Sequence, residues 1–160
     1  MATFLFGGLE EYARKLSDLA LKSRDVGAQA LYAGANILAD QIRRNLEAVP
    51  TIPNTSAHER YTNGVPEEQK QALLDSFGIT QIRDDDGYLN LKMGFDGYNG
   101  IKTRMYPKGQ PNVMIAASVE SGSSVQQKYP FVRPAIKQKE KECIDAIAAV
   151  IDKETAKIMK

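Results

Sequence analysis

The chain has 160 residues, 21 Lys or Arg against 20 Asp or Glu, one histidine and one cysteine, for a formal charge of +1. A length in this range buries roughly 70% of the unfolded surface as one domain and needs no metal or disulfide to hold it, and a single cysteine excludes an internal disulfide. The near-zero charge speaks against non-specific phosphate-backbone binding, and no apolar run approaches the roughly 20 residues of a membrane span, so a soluble protein made in the cytoplasm is expected.

From Leu9 the apolar positions Leu9, Tyr12, Ala13, Leu16, Leu19 and Ala20 repeat at helical spacing, with Glu10 and Glu11 at the positive end of the helix dipole. A break is expected around Ser23 to Gly27. A second helix then runs from about Val26 to Ala48 on Ala30, Ala33, Ile37, Leu38, Ile42 and Leu46, and Pro50 and Pro53 end it. Thr51 to Val65 is polar and rich in turn formers, which predicts a long loop containing His58, the only histidine. Pro66-Glu67-Glu68 opens a short helix with Ala72, Leu73, Leu74 and Phe77 on its apolar side and Gly78 placed to stop it.

Ile79 to Arg83 and Tyr88 to Phe95 read as two strands, the second alternating Leu89, Leu91, Met93 and Phe95 with polar or small residues. Asp84-Asp85-Asp86-Gly87 supplies the hairpin turn between them. Asp96 to Gln110 is a second long excursion, and Asn112 to Val119 reads as a last strand with Val113, Ile115, Ala117 and Val119 on one side. Tyr129-Pro130-Phe131-Val132-Arg133-Pro134 is a stiff hinge, in which each proline pushes the residue before it toward extended backbone. After it, Ile136, Cys143, Ile144, Ile147, Val150, Ile151 and Ile158 mark a helix from about Pro134 to Met159. The pattern as a whole predicts a single α+β domain, residues 1–160. A central antiparallel sheet is expected, with a long N-terminal helical region and a long C-terminal helix packed against it, and extended loops at about 51–65 and 96–111.

Chemistry has few candidates. The three aspartates neither alternate nor end in a glutamate as a calcium loop does, so a solvated turn is the better reading. His58 has no partners at catalytic or zinc spacing, and Cys143 lies in an apolar stripe without a basic neighbour to make a thiolate. Gly94 to Gly100, with Phe95 and Tyr98, has no P-loop lysine and reads as a turn-rich connection. Glu120 reads as a hydrated acid at a strand end. No catalytic residue, cofactor or metal is expected.

Two segments carry a resemblance. Glu120-Ser121-Gly122 after a short hydrophobic run, followed by Pro130-Phe131-Val132-Arg133-Pro134-Ala135 opening a terminal helix, resembles the tail-component or tail-completion family of long-tailed bacteriophages. The start from Phe6 to Glu11, leading into helices that end near Val49-Pro50, is similar too. The resemblance implies a structural, non-enzymatic virion protein, assembled in the host cytoplasm. It would be a subunit of a neck ring that completes the tail or joins it to the head. Implied partners are other copies, six by tail symmetry, and the connector or stopper, tail terminator and tail tube, with no membrane and no sequence-specific nucleic acid even though DNA passes through such rings. Glu120, Gly122, Pro130, Phe131, Arg133 and Pro134 are then the anchor and assembly residues. A tail terminator capping the tube, a small protein- or nucleic-acid-binding regulatory module and an unrecognised hydrolase are the alternatives.

Overall fold

A computed structural model of the chain describes residues 9–53 and 63–160. Its first element, α1 (Leu9–Glu47), is one unbroken helix of 39 residues. The expected interruption at Ser23 to Gly27 is absent. Ser23 Oγ turns back to donate to the Ala20 carbonyl at 2.7 Å, so its hydroxyl does not compete with the helix. Gly27 and Gly34 act as packing sites: a Cβ on Gly27 would stand 2.8 Å from Leu89 Cδ1, and one on Gly34 2.8 and 2.9 Å from the Ile147 side chain. Each glycine costs about 1 kcal/mol of helix propensity. What it provides is close approach by a neighbouring element.

Two short strands follow, β1 (Thr51–Ile52) and β2 (Val65–Pro66), paired in parallel. The loop expected over 51–65 thus has its ends fastened together, while most of it, His58 included, lies outside the described residues. Helix α2 (Glu67–Ser76) begins directly after Pro66 with Glu67 and Glu68 in its first turn. Lys70 donates to the Val49 carbonyl at 2.9 Å and also to that of Glu47, which places a cation at the negative end of α1. The helix stops two residues before Gly78, because Phe77 turns extended (φ −76°, ψ 124°) to enter the core.

The hairpin is present, as two ladders in line. Strands β3 (Phe77–Ile79) and β6 (Met93–Phe95) pair antiparallel, as do β4 (Arg83–Asp85) and β5 (Tyr88–Asn90). Thr80 joins the two ladders, its N–H donating to the Lys92 carbonyl and its Oγ1 accepting from the Lys92 N–H. Asp86 and Gly87 both have positive φ, 54° and 90°, as the tight turn that matches strand twist requires.

Asn112 to Val119 is not a strand. It belongs to α3 (Asn112–Ser121), where the buried residues Asn112, Ile115, Ala116, Val119 and Glu120 fall at i, i+3, i+4, i+7 and i+8. Val113 and Ala117, expected on the same side as Ile115 and Val119, are exposed while those two are buried. The last helix, α4 (Val132–Met159), starts two residues earlier than Pro134, so Arg133 is helical despite the proline after it.

The architecture is α+β: the long N-terminal and C-terminal helices pack against each other, and the short antiparallel ladders lie against α1, α2 and α3. Helices α1 and α4 run antiparallel. Asn45 meets Phe131 at one end of the pair and Lys15 meets the Lys160 carbonyl at the other. The largest fully buried side chains are Phe131, Leu46, Leu73, Val65 and Val119, drawn from α1, β2, α2, α3 and the start of α4. No helix among the described residues is long and apolar enough to cross a membrane.

Candidate assembly site at the start of the last helix

A helix leaves its first four backbone N–H groups without internal partners. In α4 those four positions are Phe131, Val132, Arg133 and Pro134. Glu120 Oε2 accepts from the Phe131 N–H at 2.7 Å and the Val132 N–H at 2.8 Å, and Oε1 accepts from the Arg133 N–H at 3.1 Å. Pro134 has no N–H to satisfy. One carboxylate therefore closes the whole account, and its charge stands at the positive end of the helix dipole. Glu120 is not a hydrated acid at a strand end: it is 9% exposed, on the inward face of α3.

The chain between the two helices is folded to make this reach. Gly122 takes φ +78°, where a side chain would be strained, and its N–H ends α3 by donating to the Ser118 carbonyl. Ser123 Oγ then accepts the Val125 and Gln126 N–H groups, Gln126 donates to the Gly64 carbonyl, and the Tyr129 N–H donates to that of Val119. The hinge is thus tied to α3 and to the residue before β2. Phe131 drops into the core with no exposure and meets the edge of Phe95 at a centroid distance of 5.9 Å and an interplanar angle of 83°. Phe95 in turn lies 5.1 Å from Phe77.

Of the six anchor residues expected, Glu120, Phe131, Arg133 and Pro134 meet at this corner and Gly122 shapes the turn that brings them there. Pro130 is exposed beside it. The Arg133 side chain is 68% exposed and its Nε stands 3.9 Å from Glu120, so its backbone N–H matters more here than its charge. Asn45 is an addition: its Nδ2 donates to the Phe131 carbonyl at 3.0 Å while its Oδ1 accepts from Gln41. Nothing in the spacing of α1 singles it out.

The other candidates separate from this corner. Asp84 Oδ1 accepts the Gly87 N–H and Asp85 Oδ2 accepts from Asn90, the bonding of a turn. Cys143 is half-buried at the α1–α4 contact. Burial pushes its thiol up from the ordinary range, Glu142 adds to this, and a backbone hydrogen bond at Leu38 pulls the other way. That is the opposite of an activated nucleophile. Phe95 packs against the core, whereas Tyr98 is 65% exposed.

Large apolar groups are left uncovered on both long helices. Tyr12, Leu16 and Leu21 on α1, and Ile136, Ile144 and Ile151 on α4, are between 42% and 79% exposed. Comparison with protein-family models, with curated proteins and with solved structures finds no match.

Proposed function

We propose that the protein is a structural subunit of a ring in the neck of a long-tailed bacteriophage, where it completes the tail or joins it to the head. The observation that carries this reading is the corner at Glu120. The segment that resembles the tail-completion family, Glu120 to Ala135, is the one whose carboxylate, glycine turn and buried phenylalanine fix the direction of a 28-residue helix. Helix α4 is about 42 Å long at about 1.5 Å per residue. A side of it carries Ile144 and Ile151, 59% and 42% exposed, which suits a subunit whose remaining contacts come from neighbours. Its duty on this reading is contact between proteins, not catalysis.

Electron microscopy of headless tails incubated with the purified protein tests the proposal. A ring of added density at one end of the tube is expected. Tubes with unchanged ends, together with protein that fails to sediment with them, would contradict it.

A further inference from the structure

The two charged extremes of the chain lie at opposite ends of one hairpin. At the closed end, the turn presents Asp85 and Asp86 to solvent, with Tyr88 beside them 79% exposed. Asp84 is engaged there by Arg24 at 3.7 Å, and Arg83 stands next to it. At the open end, Phe95 leads straight into the 96–111 loop. From Gly97 to Val119 the sequence has no acidic residue, and its three cations, Lys102, Arg104 and Lys108, are all exposed on that loop and make no ion pair among the described residues.

The loop is built to hold them out. Thr103 and Tyr106 exchange backbone hydrogen bonds at 3.1 Å in both directions, so Arg104 and Met105 form a two-residue tip. At its base the buried Asn99 binds Gln110 through its backbone N–H, while its Oδ1 accepts from both Ile101 and Gln110. Gly109, at φ +104°, lies so close to the Asn99 carbonyl that a Cβ there would stand 2.0 Å from it. Met105 at the tip is 82% exposed.

We infer that the 96–111 loop docks on the Asp85–Tyr88 turn of a second copy of the chain, giving a head-to-tail contact. The match is of two kinds. Cations meet carboxylates, and the exposed Met105 of one copy meets the exposed Tyr88 of the next, a sulfur–aromatic contact ringed by charge. The two patches are different surfaces separated by the length of the hairpin, roughly 26 Å for eight residues at about 3.3 Å each. A contact between unlike patches repeats around a ring rather than closing a two-fold dimer. The inference rests on the ring reading in taking the neighbour to be another copy.

Two folded variants test it by sedimentation velocity. One carries Lys102→Glu, Arg104→Glu and Lys108→Glu. The other carries Asp85→Lys and Asp86→Asn, asparagine tolerating the positive φ at 86. Each alone has like charges at both ends and should associate at least about tenfold more weakly than the unaltered chain, while an equal mixture, in which every contact again pairs opposite charges, should recover association. Unaltered assemblies should weaken at about 1 M salt, where the Debye length is about 3 Å. Circular dichroism, expected to match that of the unaltered chain, checks that both variants fold. Association of either variant at the unaltered strength would remove this contact and leave the ring reading standing. The unaltered chain staying monomeric, alone and on tail tubes, would remove both. If the loop variant keeps full association but loses binding to a short DNA duplex, the loop is a polyanion site and the inference fails.

Discussion

Removing the Glu120 carboxylate is the sharpest perturbation of the corner that aims α4. In Glu120→Ala the N–H groups of Phe131, Val132 and Arg133 lose their acceptor at once, and that of Phe131 has no route to water because the residue is fully buried. Hydrogen bonds to a charged group contribute about 1.5–3 kcal/mol each. Water can reach the half-exposed end near Arg133, so the loss falls short of three full terms, and about 3–5 kcal/mol is expected. A dipole effect alone would be worth only about 0.3–1 kcal/mol. Glu120→Gln keeps one acceptor oxygen but turns an amide NH₂ toward a backbone donor, for a cost of about 1.5–3 kcal/mol. Urea unfolding at unchanged m-value measures both, and hydrogen exchange at 131–133 should speed up in step with the loss. A cost below about 1 kcal/mol for the alanine variant, or unchanged exchange at those amides, would refute the capping argument.

Phe131→Ala removes the largest fully buried side chain and its edge contact with Phe95, and should cost about 3–5 kcal/mol by chemical denaturation. Gly34→Val overpacks the α1–α4 crossing, where a Cβ already meets Ile147 at 2.8 Å and the Cys143 carbonyl at 3.3 Å; about 1–3 kcal/mol is expected, and Ile147→Val should recover part of it. Gly109→Ala places a methyl against the Asn99 carbonyl at φ +104° and should loosen the 96–111 loop, seen as faster proteolysis there. The Cys143 thiol should alkylate slowly, with half-maximal rate above the pH of a free thiol. Because its folded-state pKa is raised, its contribution to stability is complete below the unfolded thiol pKa and is lost as pH climbs from there through the folded value. A pH–stability curve compared with Cys143→Ala reads that difference, and identical alkaline limbs would count against it.

The long helices were legible because their apolar residues recur over many turns, and the Asp-Gly hairpin because few residues accept positive φ at two successive positions. Glycine misled where it serves a neighbour: Gly27 and Gly34 look like weak points locally, and only Leu89 and Ile147, distant in sequence, explain them. The seven residues from Val113 to Val119 satisfy a period of two as well as one of 3.6, and at that length the pattern does not decide. Burial decides it, since the adjacent Ile115 and Ala116 are both buried while Val113 and Ala117 are exposed, which strict alternation forbids. Glu120 itself looked hydrated because its partners are backbone amides, which no side-chain pattern announces. Arg133 goes against the proline rule because the acceptor on α3 holds its N–H in the first turn of α4.

Native mass spectrometry of the purified chain, alone and after addition of tail tubes, bears most directly on the central claim that this is a ring-forming assembly subunit. A closed oligomer at six times the 17.7 kDa chain mass, or a monomer that leaves solution only to cap tubes in that number, is the expected result. A monomer that stays compact at every concentration and ignores the tubes would contradict it.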